Sequence, residues 1–161
     1  MAEYPATTGP DHIGAISDAT LRLFAGYYMK RAFNVVWADL SQTLRPFGLR
    51  MLTYSALTLI VDNPGLRQAQ LASALAMERP NMAVIIDELD RRDLIRRDRD
   101  PTDRRAYALM PTPEGRQLCE RATRAVKGHE ARLFGFLKDD ERAALLRALH
   151  RVETGTKGEG A

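Results

Sequence analysis

The chain has 161 residues and 45% of them are hydrophobic, which is enough for one domain with a buried core and too few residues for two ordinary domains. Its formal net charge is +3, and residues 91–105 alone hold seven Arg against four Asp, so the basic charge is concentrated in one stretch. No apolar run approaches the ~20 residues that span a bilayer and no signal peptide is recognisable, so we expect a cytoplasmic protein without membrane contact.

The two ends of the chain differ from the rest in composition. Residues 1–12 show no apolar periodicity, and residues 155–161 contain three glycines. We therefore predict a disordered arm and a flexible tail on either side of a single domain at residues 13–154.

The first predicted helix is long. It is expected to begin near Ser17, whose side chain can cap it, and apolar residues then recur at helical spacing until Pro46 and Gly48 end it. At about 28 residues it exceeds the average helix of a globular domain, so we expect it to pack on something beyond its own domain.

Two shorter helices are predicted next, over residues 52–61 and 67–75. The Asp-Asn-Pro-Gly segment at residues 62–65 is a strong turn signal and separates them. Leu71, Ala72 and Leu75 are the residues that the second of these helices should turn inward.

The following stretch predicts a helix and a hairpin. Pro80 suits the first turn of a helix, where a missing N–H costs no hydrogen bond. A buried stripe at helical spacing comes next and consists of Met82, Ile85, Ile86 and Leu89. Two extended runs at residues 95–99 and 106–110 then flank a turn-forming segment that contains Pro101. A helix followed by a basic hairpin is typical of a winged helix, and a local basic patch is typical of a nucleic-acid site.

The C-terminal third predicts two more helices. Thr112 can cap the first, with Pro113 in its first turn, and Asp139 or Asp140 can cap the second. The apolar faces of these helices and of the long first helix exceed what a winged-helix module of ~60–70 residues can cover. Two copies of the chain that bury these faces together would solve that problem.

Several motifs in this chain resemble the MarR family of bacterial transcriptional regulators. The most specific are Asp-Pro-x-Asp-Arg-Arg at residues 100–105, Leu-x-Arg-Arg-x-Leu-Ile-Arg-Arg at residues 89–97 and Thr-Pro-Glu-Gly at residues 112–115. The segments RPFGL at residues 45–49 and NPGLRQAQLA at residues 63–72 are also similar to the family, and the resemblance extends over residues 16–152. One departure is Ala76, which stands where the family commonly has Gly.

The resemblance implies a mainly α fold with a small β-wing. A winged helix-turn-helix lobe would occupy about residues 50–112, and dimerisation helices would occupy about residues 15–45 and 113–154. It also implies an obligate homodimer that binds double-stranded DNA and regulates transcription. We expect this homodimer to be a repressor that binds a palindromic operator. No cofactor is expected.

Residue chemistry assigns roles in DNA binding. We expect Arg79, Asn81 and Val84 to read bases in the major groove, since Arg suits guanine, Asn suits adenine and Val suits the thymine methyl group. Gln68 and Gln70 on the preceding helix are expected to contact the DNA backbone. For each, the alternative is a surface residue without a contact.

The wing is expected to add minor-groove and phosphate contacts. Arg105 resembles the family arginine that enters the minor groove, with Asp103 bracing it. The other wing residues are expected to meet phosphates or to pair with one another: Arg97, Arg99 and Arg104, with Asp98 and Asp100 as acidic partners.

The resemblance further implies a ligand pocket where the first, second and fifth helices meet. Tyr27, Arg31 and Asn34 lie on one face of the first helix, and Tyr54 lies at the start of the second. An aromatic wall with one Arg suits a small aromatic or phenolic acid, free or as a thioester, whose binding we expect to release DNA. The alternative is that these residues support the dimer interface.

Other functions have less support. The three His have no ligand-like spacing and no catalytic motif occurs, so an enzyme is not expected. A winged helix that binds proteins rather than DNA remains the alternative function, and the five Arg between residues 96 and 105 argue against it. The single cysteine, Cys119, is expected to be a small buried apolar group, with a redox-sensing thiol as the alternative.

Overall fold

The computed structural model describes residues 16–99 and 107–155. The predicted arm at residues 1–12, the wing tip at residues 100–106 and residues 156–161 of the predicted tail lie outside them. The chain divides into two compact units, Met1–Val35 and Val36–Ala161. The described residues form helices and one three-stranded antiparallel sheet, which confirms the mainly α fold with a small β-wing.

The described part of the first unit contains a 3-10 turn and the start of helix α1 (Ala25–Leu44). The prediction of a continuous helix of about 28 residues capped by Ser17 is wrong, because α1 has 20 residues and Phe24 before it is extended. The Asp18 carboxylate accepts hydrogen bonds from Arg22 and from the Tyr27 hydroxyl, and these bonds stabilise a turn in place of a longer helix.

The second unit begins within α1, which ends in a 3-10 turn at Arg45–Phe47 followed by Gly48 in the left-handed region. Pro46 and Gly48 therefore end the helix as predicted. Helix α2 (Met51–Asp62) and helix α3 (Gln68–Ala74) follow, both within one residue of their predicted bounds.

Strand β1 (Leu66–Arg67) was not predicted, because two residues are too short for a periodic signal. Helix α4 (Arg79–Arg91) leads into strand β2 (Ile95–Arg99), and strand β3 (Tyr107–Pro111) ends one residue later than predicted. The sheet order is β1-β3-β2, with Arg97 opposite Leu109.

Helix α5 (Pro113–Phe134) starts as predicted, because the Thr112 hydroxyl accepts a hydrogen bond from the Gly115 amide at 3.0 Å. Gly115 is required here, since an added Cβ would lie 1.9 Å from the Leu94 carbonyl oxygen. Helix α6 (Asp139–Thr154) is not capped by Asp139 or Asp140. Instead Glu141 reaches back and accepts the Lys138 amide at 2.8 Å, which is the distal half of a capping box.

The hydrophobic core lies in the second unit, and the end of α1, helices α2, α3 and α4, the sheet and the start of α5 supply it. Its fully buried large apolar side chains are Leu44, Leu57, Ile60, Leu71, Met82, Ile86, Leu89, Ile95 and Leu109. Helix α6 contributes no buried residue. Within residues 16–99 and 107–155, the helices are all too short or too polar to cross a membrane.

Candidate nucleic-acid interface

Helix α4 turns its apolar stripe into the core and leaves the predicted base-reading residues at the surface. Met82, Ile85, Ile86 and Leu89 are all buried, which confirms the stripe. Arg79, Asn81 and Val84 are exposed near the start of the helix. Val84 exposes 61% of its surface, so its methyl groups are available to a thymine methyl group. A helix that presents its first turns in this way has the geometry of a recognition helix.

The two glutamines of α3 have structural partners. Gln70 Oε1 accepts the Arg67 amide at 2.9 Å and so caps its own helix. Gln68 Nε2 lies 3.4 Å from the Arg79 carbonyl oxygen, which links α3 to the first residue of α4. Gln68 therefore joins α3 to the start of α4, and Gln70 stabilises the start of α3, two roles that the sequence analysis did not predict.

The turn between α3 and α4 depends on Ala76. Its φ is 49°, in the left-handed region that favours glycine. The family's usual Gly at this position is explained by that conformation, and this chain forms the same turn with a Cβ present.

Arg97 of strand β2 connects the wing to helix α4 through ion pairs. Its guanidinium forms an ion pair with Asp87 and a second one with Asp90, where Nε and Oδ2 are 3.3 Å apart. Both aspartates lie on α4. Among the described residues Arg97 therefore pairs with the acidic residues of α4, and not with its expected partner Asp98.

Asp98 pairs with its strand neighbour Arg96 at 3.1 Å. Among the described residues, Arg99 has no ion pair, and its side chain is exposed at the end of β2. The predicted wing residues Asp100, Asp103, Arg104 and Arg105 lie outside the described residues.

A polar network joins the recognition helix to the linker before α2. Arg92 donates hydrogen bonds to the carbonyl oxygens of Gly48, at 2.6 Å, and Phe47, at 3.1 Å. Arg50 forms an ion pair with Glu88 of α4 at 2.6 Å. Sequence reasoning missed these contacts, because partners 38 to 45 residues apart leave no local pattern.

The predicted ligand residues of α1 belong to the first unit. Tyr27 donates to Asp18 at 2.8 Å, and the Arg31 guanidinium lies 5.7 Å from the Tyr27 ring centroid. Hydrogen bonds from Arg22 and Tyr27 hold the pKa of Asp18 below its usual value. Asn34 is exposed. Tyr27 and Arg31 thus form an aromatic and cationic pair, as the ligand hypothesis requires.

The fourth predicted ligand residue, Tyr54, belongs to the second unit. Its hydroxyl lies 3.0 Å from Thr123 Oγ1 on α5. Further along α5, buried His129 places Nδ1 2.5 Å from Asp39 Oδ2, and Arg132 contacts the same carboxylate at 2.9 Å. His129 first and then Arg132 lower the pKa of Asp39. These contacts tie α5 to α2 and to the C-terminal half of α1.

Cys119 is buried and not in a disulfide, and its Sγ lies 3.5 Å from Thr58 Oγ1. It is therefore a small core side chain, as expected. Within residues 16–99 and 107–155, no group of three His, Cys, Asp or Glu side chains is placed to hold a metal ion.

Comparison with known proteins agrees with this geometry. A sequence model of the MarR family matches residues 49–107, from the linker through α4 to the start of β3. A putative transcriptional regulatory protein for the hcr operon of Thauera aromatica is 33% identical over 128 residues, which cover 79% of this chain and 77% of the relative.

Two solved structures are similar over most of the chain. The transcriptional repressor CouR bound to a 23-mer DNA duplex has a TM-score of 0.82 and 36% identity, covering 87% of this chain and 99% of that one. CouR from Rhodococcus jostii RHA1 bound to p-coumaroyl-CoA has a TM-score of 0.79 and 29% identity, covering 89% of this chain and 100% of that one.

Proposed function

The chain belongs to the MarR family and is a DNA-binding transcriptional regulator, and from that premise we propose that it is a repressor that binds a palindromic operator as a homodimer. The observation that carries this proposal is the arrangement of α4, which buries one face in the core and exposes Arg79, Asn81 and Val84 on the other. The similarity to a repressor solved on a DNA duplex supports the same reading.

The DNA contacts in this proposal are divided between α4 and the wing. Arg79, Asn81 and Val84 read base edges, and Arg105 enters the minor groove with Asp103 beside it. Arg99 and Arg104 meet phosphates, and Gln68 and Gln70 in the first turn of α3 add contacts to the DNA backbone. The relatives named as transcriptional regulators favour this function over a winged helix that binds proteins.

The homodimer is supported by apolar surface that one chain leaves uncovered. Helix α6 has four exposed aliphatic side chains at helical spacing, which are Leu145, Leu146, Leu149 and Val152. In the first unit, Phe24 and Phe33 are also exposed. A second copy that covers these faces would bury them in a symmetric interface. The dimerisation helices are thus proposed at about residues 15–45 and 113–154, around a DNA-binding lobe at about residues 50–112.

We further propose that a small aromatic acid, free or as a thioester, lowers the affinity for DNA. The similarity to a CouR structure bound to p-coumaroyl-CoA supports a ligand of this class. In this chain Tyr27, Arg31, Asn34 and Tyr54 are proposed to meet it, because aromatic rings and a guanidinium suit a flat anion. Release requires that the ligand bind the DNA-incompetent arrangement more tightly.

The DNA proposal is tested by selecting bound sequences from a random duplex pool. The homodimer predicts an inverted repeat with half-site centres about one helical turn, ~10 bp, apart. Selection is repeated with Asn81→Ala, which should relax the choice at one base pair per half-site by ~1–3 kcal/mol, and with Arg105→Ala, which should weaken binding to all sites. If Asn81→Ala weakened binding to all sequences equally, Asn81 would not be a base-reading residue.

The ligand proposal is tested by a thermal-shift screen of aromatic acids and their CoA thioesters, followed by DNA-release titrations. Coupling of the usual size would weaken DNA binding roughly 5–150-fold. Arg31→Ala and Tyr54→Ala should reduce that release. Hits that release DNA equally well from both variants would mean that the pocket lies elsewhere.

A further inference from the structure

Helix α4 begins directly after Glu78, an exposed acidic residue beside the proposed base-reading surface. Glu78 is the N-cap residue of the helix, and its backbone is extended, with φ −66° and ψ 140°. The next residue is Arg79, the first of the proposed base-reading residues. Because the start of a recognition helix meets base edges in the major groove, Glu78 lies where a side chain can reach a base.

The backbone of Glu78 is held in place by its own chain. Its carbonyl oxygen accepts a hydrogen bond from the Met82 amide at 3.1 Å, and the Met82 side chain is completely buried in the core. The preceding residue, Met77, donates its amide to the Ala72 carbonyl oxygen of α3 at 2.9 Å. The base of the Glu78 side chain is therefore fixed relative to α3 and α4 before DNA binds, which lowers the entropy lost on binding.

The carboxylate of Glu78, in contrast, has no partner among residues 16–99 and 107–155. It does not cap its own helix, since no side-chain hydrogen bond joins it to the first turn. It forms no ion pair with Arg79 or with any other described residue. The acidic residues inside α4 differ from it, because Asp87, Glu88 and Asp90 are all paired with arginines. The Glu78 carboxylate is thus available to another molecule.

The chemistry of a carboxylate limits which base it can meet. The hydrogen-bond donors that bases present in the major groove are the N4 amino group of cytosine and the N6 amino group of adenine. Adenine also presents its N7 acceptor beside N6, and an acceptor next to a carboxylate is unfavourable. Cytosine presents N4 without an acceptor on its own edge. A carboxylate at Glu78 therefore favours cytosine.

Glu78 and Arg79 together have the groups that a C·G base pair requires. The guanine of such a pair presents O6 and N7, which both accept hydrogen bonds from an arginine. Arg79 is exposed, and among the described residues its side chain has no ion pair. These two adjacent residues therefore offer an acceptor for cytosine and donors for guanine, and neither group is engaged by the other.

A structural role is the alternative for a carboxylate at this position. Negative charge near a helix N-terminus interacts favourably with the helix dipole. That interaction stabilises the protein without DNA and is the same for every DNA sequence. Stability and base preference therefore distinguish the two roles.

We propose that Glu78 is a specificity-determining residue whose carboxylate accepts a hydrogen bond from the N4 amino group of one cytosine in each half-site. The inference rests on the proposed function, because it adds a residue to the base-reading surface of α4. Thymine is disfavoured at the same position, since it presents its O4 acceptor where cytosine presents a donor.

The first experiment compares base preferences. Duplexes are selected from a random pool by the purified full-length protein, by Glu78→Ala and by Glu78→Gln. The unchanged protein should select C at a position of each half-site that becomes degenerate with Glu78→Ala, while the other positions keep their preferences. Glu78→Gln should admit A at that position, because a glutamine amide matches N6 and N7 of adenine.

The second experiment measures the Kd for two duplexes of selected sequence that differ only by C or T at this position of one half-site. The unchanged protein should prefer C roughly tenfold, and Glu78→Ala should reduce the preference to about twofold or less. Glu114→Gln is the matched control, because Glu114 is an exposed carboxylate in the first turn of α5 without an ion pair among the described residues. It should leave the preference for C unchanged.

Two results would overturn the role of Glu78 and leave the proposed function intact. If Glu78→Ala tightens binding to all duplexes equally, the carboxylate only repels phosphates. If no base preference changes and Glu78→Gln shifts only the thermal midpoint, as Glu114→Gln does, the residue acts on the helix dipole alone. If the unchanged protein enriches no sequence at all, the proposed function fails and this inference fails with it.

Discussion

Helices α4 and α6 are both amphipathic, but only α4 has its apolar face covered by other described residues of the chain. Helix α4 has 13 residues and buries four apolar side chains in the core. Helix α6 has 16 residues and buries none, although its aliphatic residues have the same helical spacing. An apolar stripe therefore predicts which face of a helix will be covered, but it does not predict whether the same chain or another molecule covers it.

The polar contacts of the two helices show the same difference. Charged residues of α4 reach the linker and the wing, through Glu88 to Arg50 and through Asp87 and Asp90 to Arg97. Helix α6 has one ion pair to α5, between Arg142 and Glu130 at 3.2 Å. Helix α4 thus contacts both the linker and the wing of its own chain, whereas α6 leaves its aliphatic stripe exposed.

The largest expected effect comes from a charge on the exposed stripe of α6. Leu149→Glu should prevent the dimer from forming, since it would bury an unpaired carboxylate in the interface. DNA affinity should then fall by roughly 10²–10⁴-fold, because the second half-site no longer binds as an intramolecular event. Sedimentation and a DNA shift assay measure the two effects.

Arg147→Glu is the matched control for that change, because residue 147 lies about half a turn away from the stripe on the same helix. It should leave the dimer intact. Equal loss of the dimer in both variants would show that the stripe is not the interface.

A core truncation in α4 should have the next largest effect. Leu89 is fully buried, so Leu89→Ala should lower the free energy of unfolding by ~2–5 kcal/mol at any protein concentration. Leu149→Ala should instead act through the dimer and make the urea midpoint more dependent on protein concentration. If the two truncations behave alike in urea at low and high concentration, the contrast between the helices is wrong.

Two wing arginines are expected to differ in their contacts: Arg97 contacts its own chain, and Arg99 contacts a DNA phosphate. Arg97 already has two acidic partners on α4, so Arg97→Ala should leave the slope of log K against log salt nearly unchanged. Arg99→Ala should reduce that slope by about one, as expected for a lost phosphate contact. A drop of about one with Arg97→Ala would show that its ion pairs open when DNA binds.

The smallest expected effect is at the turn before α4. Ala76→Gly should raise the free energy of unfolding by about 0.5–1 kcal/mol, because glycine adopts the left-handed conformation without the Cβ penalty. Ala74→Gly, two residues earlier in helical conformation, should lower it by a similar amount. Thermal unfolding of both variants measures the difference, and a loss of stability with Ala76→Gly would contradict the assignment of strain to this turn.

Much of the fold could be predicted because its signals are local. Pro46 with Gly48, the stripe of α4 and the Thr112 cap are each specified by residues within a few positions of one another, and all were confirmed. The start of α1 could not be predicted, because Asp18 stabilises a turn through side chains that follow it by four and nine residues. Strand β1 exists only through its pairing with β3.

The candidate site could be predicted less completely, because some of its contacts join segments that are far apart in the sequence. Residue type and helical position were sufficient to nominate Arg79, Asn81 and Val84, which are all exposed. The partners of Arg97 depend on how distant segments pack, and no spacing in the sequence encodes them.

Two copies of the chain are expected to present two α4 helices to one symmetric operator. The most direct measurement is the mass of the complex between the purified protein and a duplex obtained by selection, combined with a footprint on both strands. We expect two chains per duplex and two equivalent protected half-sites whose centres lie ~10 bp apart. One chain per duplex, or protection without two-fold symmetry, would contradict it.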